Sequence, residues 1–283
     1  MKYGISLGNS KLGRLAIDHL MDKGVAPADI VAVIRTPAKA DDLALRGVVV
    51  RRGEYGDEPS LVEALQGVDK LYMVSGMAPP EERRRQHRGV IESAKDAGVR
   101  CVIYTSFIDT AEDSPFFAWS INRDTETVLK ASGLCHTILR NGMYVEADLD
   151  YIPEYVTAGK IANNIADGRI SYISRRDLAL AAVHCLLDAG HDGKTYTLTG
   201  PEAVTQARLA EWISQWTGKA IPYVPMTDDE YRDTFPEPHW AEVVVTLYES
   251  VRLGNAEAVT EDFETIVGRK AWSVPEVYDR FYR

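Results

Sequence analysis

The chain is poor in cysteine, with three in 283 residues. Cys101, Cys135 and Cys185 are far apart and odd in number, so disulfide staples and a zinc site are not expected; buried free thiols in a reducing cytosol are. No apolar run approaches the roughly 18 residues needed to cross a bilayer, and the N-terminus lacks the basic-then-apolar order of a secretory signal. No membrane role is expected, and the cytoplasm is the expected compartment. Positive charge is also scarce: 32 Lys and Arg stand against 42 Asp and Glu, a net charge of −10. The basic footprint that nucleic-acid binding needs is missing. The one basic cluster, Arg83-Arg84-Arg85 with His87 and Arg88, follows Glu81-Glu82 and reads as a solvated helix start. His87 and His191 read as surface or capping residues, and the six histidines show no metal-ligand spacing, so no metal is expected. There is no G-x-S-x-G elbow.

What is present is alternation. The β-rich run Tyr3–Leu7 enters a turn, Gly8-Asn9-Ser10-Lys11-Leu12-Gly13, that opens a helix over Leu12–Lys23. Further strands are expected at Asp29–Ile34, Val48–Arg51, Lys70–Val74, Val99–Tyr104 and His136–Leu139. Asp29–Ile34 in particular is a near-continuous apolar run, as in a parallel strand covered on both faces. Helices ending near Leu45, Leu65, Ala97 and Ala131 fall between them. This pattern predicts an α/β fold with a Rossmann-type doubly wound parallel sheet. Right-handed crossovers put every strand's C-terminal end on one edge, where ligands bind. Gly8–Gly13, Arg35–Lys39, Glu54-Tyr55, Ser75-Gly76, Thr105-Ser106 and Arg140–Tyr144 should therefore share a crevice.

Beyond Tyr144 the pattern loosens. One helix is expected over Glu146–Ala158, a strand-like run at Arg169–Ile173, a helix over Leu178–Leu187 capped by Asp177, and a strand at Thr195–Leu198. The expected division is a dinucleotide-binding domain over 1–144, with 175–200 returning to it, and a small C-terminal α/β substrate lobe making up most of 145–283.

A strand–turn–helix at the N-terminus is where a dinucleotide fold holds pyrophosphate, because helix-start amides and the helix dipole favour an anion. The fingerprint there has three glycines; this turn has Gly8 and Gly13 only. Lys11 by charge, and Asn9 and Ser10 by hydrogen bonds, could compensate. The alternative is an ordinary strand-to-helix link that no longer binds a dinucleotide. Arg35 with Lys39 ends the second strand, 22 residues after Gly13. An acidic residue here reads the ribose of NAD, whereas an Arg accommodates the 2′-phosphate of NADP; the alternative is a surface Arg and Lys. Thr105-Ser106 ends the fifth strand, where a hydroxyl could polarise a carbonyl or merely cap the strand. No Tyr-x-x-x-Lys follows it, which removes the usual general acid. Phe116, Phe117 and Trp119 suggest either an aromatic pocket mouth or lobe packing.

Several stretches together resemble the NmrA-like branch of the atypical short-chain dehydrogenase/reductases. They are similar in particular to its second-type NAD(P)H:quinone oxidoreductases and triphenylmethane reductases. The stretches are Val33-Ile34-Arg35-Thr36-Pro37-Ala38-Lys39-Ala40, Glu54-Tyr55-Gly56-Asp57, Gln86-His87-Arg88, Ala94-Lys95-Asp96-Ala97-Gly98-Val99, Tyr104-Thr105-Ser106, Thr125-Glu126 and Leu139-Arg140-Asn141-Gly142-Met143-Tyr144. The resemblance implies NADP bound at Gly8, Asn9, Ser10, Lys11, Leu12, Arg35, Lys39, Ser75, Gly76, Asn141, Gly142 and Met143. It implies hydride transfer to a quinone-like or conjugated aromatic small molecule, with Asn122, Tyr144 and Ser106 as the catalytic candidates and a homodimer as the candidate assembly. Two departures stand out: the missing glycines, and Asn122 where these relatives usually carry His. Asn hydrogen-bonds but does not shuttle protons. A non-redox enzyme on this scaffold, or an NADP-sensing regulator, remain the rival readings.

Overall fold

The computed structural model describes residues 1–116 and 118–283. Phe117, expected at the pocket mouth, lies outside the described residues. The first half alternates strictly: β1 (Tyr3–Ser6), α1 (Lys11–Asp22), β2 (Ile30–Ile34), α2 (Asp41–Leu45), β3 (Val49–Arg52), α3 (Glu58–Leu65), β4 (Lys70–Met73), α4 (Pro80–Asp96), β5 (Cys101–Phe107), α5 (Ala118–Ala131) and β6 (Cys135–Asn141). The second half runs α6 (Glu146–Leu149), α7 (Ile152–Ala158), β7 (Ile161–Asn163), β8 (Arg169–Ile170), α8 (Arg175–Leu187) and β9 (Thr195–Leu198). It ends with β10 (Val204–Thr205), α9 (Gln206–Thr217), β11 (Tyr223–Pro225), α10 (Asp228–Arg232), α11 (Pro238–Arg252), α12 (Asp262–Val267) and α13 (Val274–Phe281).

Seven strands form one parallel sheet in the order β3-β2-β1-β4-β5-β6-β9, the doubly wound arrangement expected. The order reverses between β1 and β4, which places the switch-point crevice there. β2 reads Ile-Val-Ala-Val-Ile and is buried throughout, because helices cover both of its faces. On one face α1 presents Leu12, Ala16, Ile17 and Leu20 to α8, in a core that Phe263 and Ile266 complete. On the other, α3 and α4 supply Leu61, Leu65, Val90 and Ile91. A separate apolar cluster, with Ile161, Ile170, Leu209 and Ile213, holds the short pairs β8–β10 and β7–β11 together. Among the described residues no helix is long and apolar enough to cross a membrane.

Several expectations are corrected. The helix expected over Glu146–Ala158 breaks at Asp150-Tyr151, because Pro153 lacks an amide proton and fits only a first turn. Asp177 does not cap α8; Ser174 does, its hydroxyl accepting from the Asp177 amide. Asp177 is instead buried, and its carboxylate accepts from Arg269 Nη2 at 2.6 Å and the Trp272 amide at 2.9 Å, tying the C-terminal segment to α8. Cys101 and Cys135 are not free thiols. They are direct partners on adjacent strands, 4.4 Å apart at Cα, and form a disulfide; Cys185 alone is free and is buried. Asp192 lies beside them, and the three residues bring ligand-type atoms within 4.8 Å of one another. With the sulfurs bonded to each other, neither is a thiolate that could take a metal ion.

Candidate active site

The first turn keeps its shape without the missing glycines. Leu7 takes the left-handed backbone conformation, φ 47°, that a glycine would adopt freely. Gly13 is irreplaceable for a different reason: a Cβ there would stand 2.6 Å from the Leu7 carbonyl oxygen and 3.0 Å from Gly8 Cα. Ser10 caps α1, accepting from the Gly13 amide at 3.0 Å. The Lys11 and Leu12 amides, as first-turn donors, have no intrahelical acceptor. The compensating side chains are partly engaged. Asn9 Oδ1 accepts from Arg14 Nε and Nη2 at 2.9 and 2.6 Å, and Lys11 pairs with Asp150 at 2.9 Å on an exposed surface. Leu12 is buried against the core rather than facing the turn. Arg35 and Lys39 are exposed where β2 ends and make no ion pair among the described residues. Two uncommitted cations beside a free helix start fit a dinucleotide carrying a 2′-phosphate.

Farther along the same edge lies a cavity of about 300 Å³. Ser75, Thr105, Ser106, Gly142, Met143 and Tyr144, all expected at the crevice, line it, as does Asn122, the candidate that the resemblance implied. Gly142 must be small, because a Cβ would meet the Leu198 and Ser171 carbonyl oxygens at 3.0 and 3.1 Å. Phe116 both lines the cavity and packs in an apolar cluster, edge-on to Phe107, whereas Trp119 stands aside beneath Arg123. The far wall is α11, through Trp240, Val243 and Leu247. Most of the lining is apolar.

The polar groups form two systems. In the first, Arg83 Nη2 donates to Ser75 Oγ at 2.9 Å and to Asn122 Oδ1 at 3.2 Å, and the Tyr104 hydroxyl also donates to Asn122 Oδ1 at 3.1 Å. Asn122 is thus held by its oxygen. In the second, Ser106 Oγ donates to Glu126 Oε1 at 2.7 Å, and Glu126 accepts from Arg140 Nε at 3.0 Å and Nη2 at 2.7 Å. The Ser106 proton is therefore committed, leaving only lone pairs for a ligand. Burial raises the Tyr144 pKa, so its hydroxyl stays neutral, and the Arg175 guanidinium lies 4.7 Å over its ring. Asn141 is buried, and neither atom of its carboxamide makes a hydrogen bond of good geometry.

The basic cluster at the start of α4 is not uniformly solvated. Arg83 turns into the cavity, and His87, read as a surface or capping residue, is fully buried. His87 Nε2 accepts from the Gly76 amide at 3.1 Å, so its proton sits on Nδ1 and is donated to Thr125 Oγ1 at 2.9 Å. Burial, then the nearby Arg83 charge, lowers its pKa to about 3. The unfolded chain binds this proton below about 6.5 and the folded chain does not. Stability should therefore fall as pH drops from about 6.5 toward 3, by up to about 1.4 kcal/mol per pH unit from this group. Urea midpoints should decline less steeply over this window in His87→Gln than in the wild type. Equal slopes would refute the assignment. Arg83 and Glu126 were named from sequence only within a solvated cluster and a family stretch, not as site residues, and the α11 wall was not foreseen. A signal for Arg83 existed: with His87, Val90, Ile91 and Ala94 it forms an i, i+4, i+7, i+8, i+11 stripe, the inward face of a helix.

The model of a family described as NAD(P)H-binding matches residues 8–189. The chain belongs to this family. Quinone oxidoreductase 2 of Escherichia coli is 39% identical over 227 residues, 80% of this chain and 78% of that protein. The structure of the E. coli NADPH-dependent quinone oxidoreductase complexed with NADPH superposes with a TM-score of 0.92, at 33% identity, over 99% of this chain and all of the other. Triphenylmethane reductase of Citrobacter sp., complexed with NADP(H), also gives 0.92, at 29% identity and 99% coverage of both chains. For this member of the NAD(P)H-binding family, Rossmann-type fold and nicotinamide-cofactor class follow from sequence and structure alike.

Proposed function

We propose that the protein is an NADPH-dependent reductase of quinone-like or conjugated aromatic small molecules. The observation that carries this reading is the adjacency, on one sheet edge, of a strand-to-helix turn that keeps its conformation without the missing glycines and a largely apolar cavity of about 300 Å³. Arg35 and Lys39 would hold the 2′-phosphate, and the turn at Gly8, Asn9, Ser10 and Lys11 would seat the pyrophosphate, with Leu12 shaping it from the core. Ser75, Gly76, Asn141, Gly142 and Met143 would border the nicotinamide end. When bound, NADPH supplies a hydride. Asn122 and Tyr144 would orient the acceptor, and Ser106 would accept a hydrogen bond through the lone pairs that Glu126 leaves it. No protein acid is needed for an electron-poor acceptor; proximity, orientation and exclusion of water supply the catalysis. The lobe over 145–283 would close the cavity through α11.

NADPH titration with thermal denaturation tests the reading. Saturation to about 100-fold over Kd should stabilise the folded state by about 2.7 kcal/mol. Arg35→Ala should weaken NADPH by roughly 10- to 100-fold, the worth of one charge-assisted contact, and leave NADH unchanged. Absence of any shift at millimolar NADPH would sink the reading. Equal losses for both cofactors would remove Arg35 from its role.

A further inference from the structure

The acceptor cavity contains one half-buried charge with no counter-charge. Arg83 lines it, and no Asp or Glu is among its described lining residues. Arg83 makes no salt bridge within 4.0 Å among the described residues; its recorded partners are the neutral oxygens of Ser75 and Asn122. Its Nε is buried and has no hydrogen-bond partner. Every other basic side chain at the start of α4 finds an exit: Arg84 reaches Ser120, Arg88 pairs with Asp124, and Arg85 is exposed. A guanidinium has five donors and no way to become neutral. Burying one without a carboxylate is costly unless something else supplies the missing acceptor.

We infer that Arg83 is the anion seat of this cavity, and that the acceptors it takes are flat aromatics bearing an oxygen that is anionic or becomes so on reduction, in preference to cationic dyes. The inference rests on the reductase reading for its second half only. Hydride addition to a neutral quinone leaves a monoanion with the charge on oxygen, and the proton that completes the hydroquinone comes from water. A fixed cation beside that oxygen stabilises the product charge more than the neutral ground state, which is where catalytic gain arises. A cationic acceptor meets the opposite: like charge in a low-dielectric cavity, and no anion at the end of the reaction. The apolar walls, Phe107, Phe116 and Leu247 among them, suit the aromatic body of either class. The charge, not the shape, makes the choice.

The test uses three size-matched, unreactive probes: naphthalenesulfonate, naphthalenemethanol and naphthyltrimethylammonium, with binding measured by calorimetry on the full chain. The wild type should bind the anion at least tenfold tighter than the cation. Arg83→Gln should weaken the anion tenfold or more and leave the neutral probe within about twofold; Arg83→Lys, which keeps the charge, should recover part of the loss. A wild type that binds cation and anion equally, or an Arg83→Gln variant whose preference is unchanged, overturns the assignment. Should Arg83→Gln fail to unfold cooperatively, the wild-type ratio and Arg83→Lys decide it. NADPH consumption with a naphthoquinone and with a cationic triphenylmethane dye is scored separately. Reduction of neither, with the anion preference intact, sinks the reductase reading and leaves Arg83 in place. Faster reduction of the dye sinks the acceptor preference and leaves the reductase reading in place.

Discussion

Glu126→Ala is expected to destabilise the protein by roughly 3 kcal/mol, the largest loss from any single polar truncation at this site. The Glu126 side chain is 4% exposed, and Arg140, its main partner, is 28% exposed. Burial alone would push the carboxyl pKa up; the hydrogen bonds from Arg140 and Ser106 and the Arg140 charge outweigh it and hold the group below the ordinary value. Removing the carboxylate leaves Arg140 half-buried and unpaired, and Ser106 without its acceptor. Breaking a buried pair costs about 3–5 kcal/mol, and the water that reaches Arg140 argues for the lower end. Glu126→Gln, which keeps an acceptor and loses the charge, should cost about half as much. Because the folded pKa is depressed, the stabilisation is present above the unfolded carboxyl range and lost as pH falls through the folded value. Urea unfolding of the three proteins at neutral and acidic pH measures this. A Glu126→Ala midpoint equal to wild type at neutral pH would show that the pair contributes nothing.

Glu126 also shows what the sequence could and could not disclose. The inner strands were legible because apolar residues dominate runs such as Ile30–Ile34, and a parallel sheet then forces their C-terminal ends onto one edge. Ser75, Ser106 and Gly142–Tyr144 were placed correctly by that argument alone. The commitment of Ser106 was not legible, because its acceptor comes from α5, 20 residues on, and which helical residue faces β5 depends on packing. α5 begins at Ala118, which brings Ile121 and Asn122 inside a helix wall. The disulfide was hidden similarly: Cys101 and Cys135 are 34 residues apart in sequence, and only the register of β5 against β6 makes them neighbours. Arg83 was masked by its company. Three consecutive arginines read as a solvated start, yet consecutive helical positions point about 100° apart, so one of the three can face inward while the others are solvated. The α11 wall had no local signal, since nothing in Pro238–Arg252 states which element it will lie against.

Gly13→Ala is expected to weaken NADPH binding by tenfold or more and to lower stability by roughly 1–3 kcal/mol, the cost of an overpacked site. The new Cβ would stand 2.6 Å from the Leu7 carbonyl oxygen and 3.0 Å from Gly8 Cα, and both are backbone atoms of the same turn. No side chain can swing away to make room, so the turn itself must move. Leu7 is already held at φ 47°, a conformation that costs a non-glycine residue roughly 1–2 kcal/mol. Displacing its carbonyl disturbs the hydrogen bond that the Ser10 amide donates to it at 2.8 Å, and with it the cap that starts α1. Amides aimed at a pyrophosphate lose their convergence even if the helix survives. Leu7→Gly is the informative partner variant. It restores a glycine to the turn and relieves the backbone strain, while giving up the packing of a partly buried leucine against the core. The two terms are of similar size, so stability should change little, and NADPH binding should be retained because the backbone already has the shape a glycine would take. If Gly13→Ala binds NADPH as well as wild type does, the turn is not the pyrophosphate seat. If Leu7→Gly binds markedly tighter, the shape is kept but the leucine side chain obstructs the cofactor, and the missing glycine is a steric defect rather than a conformational one.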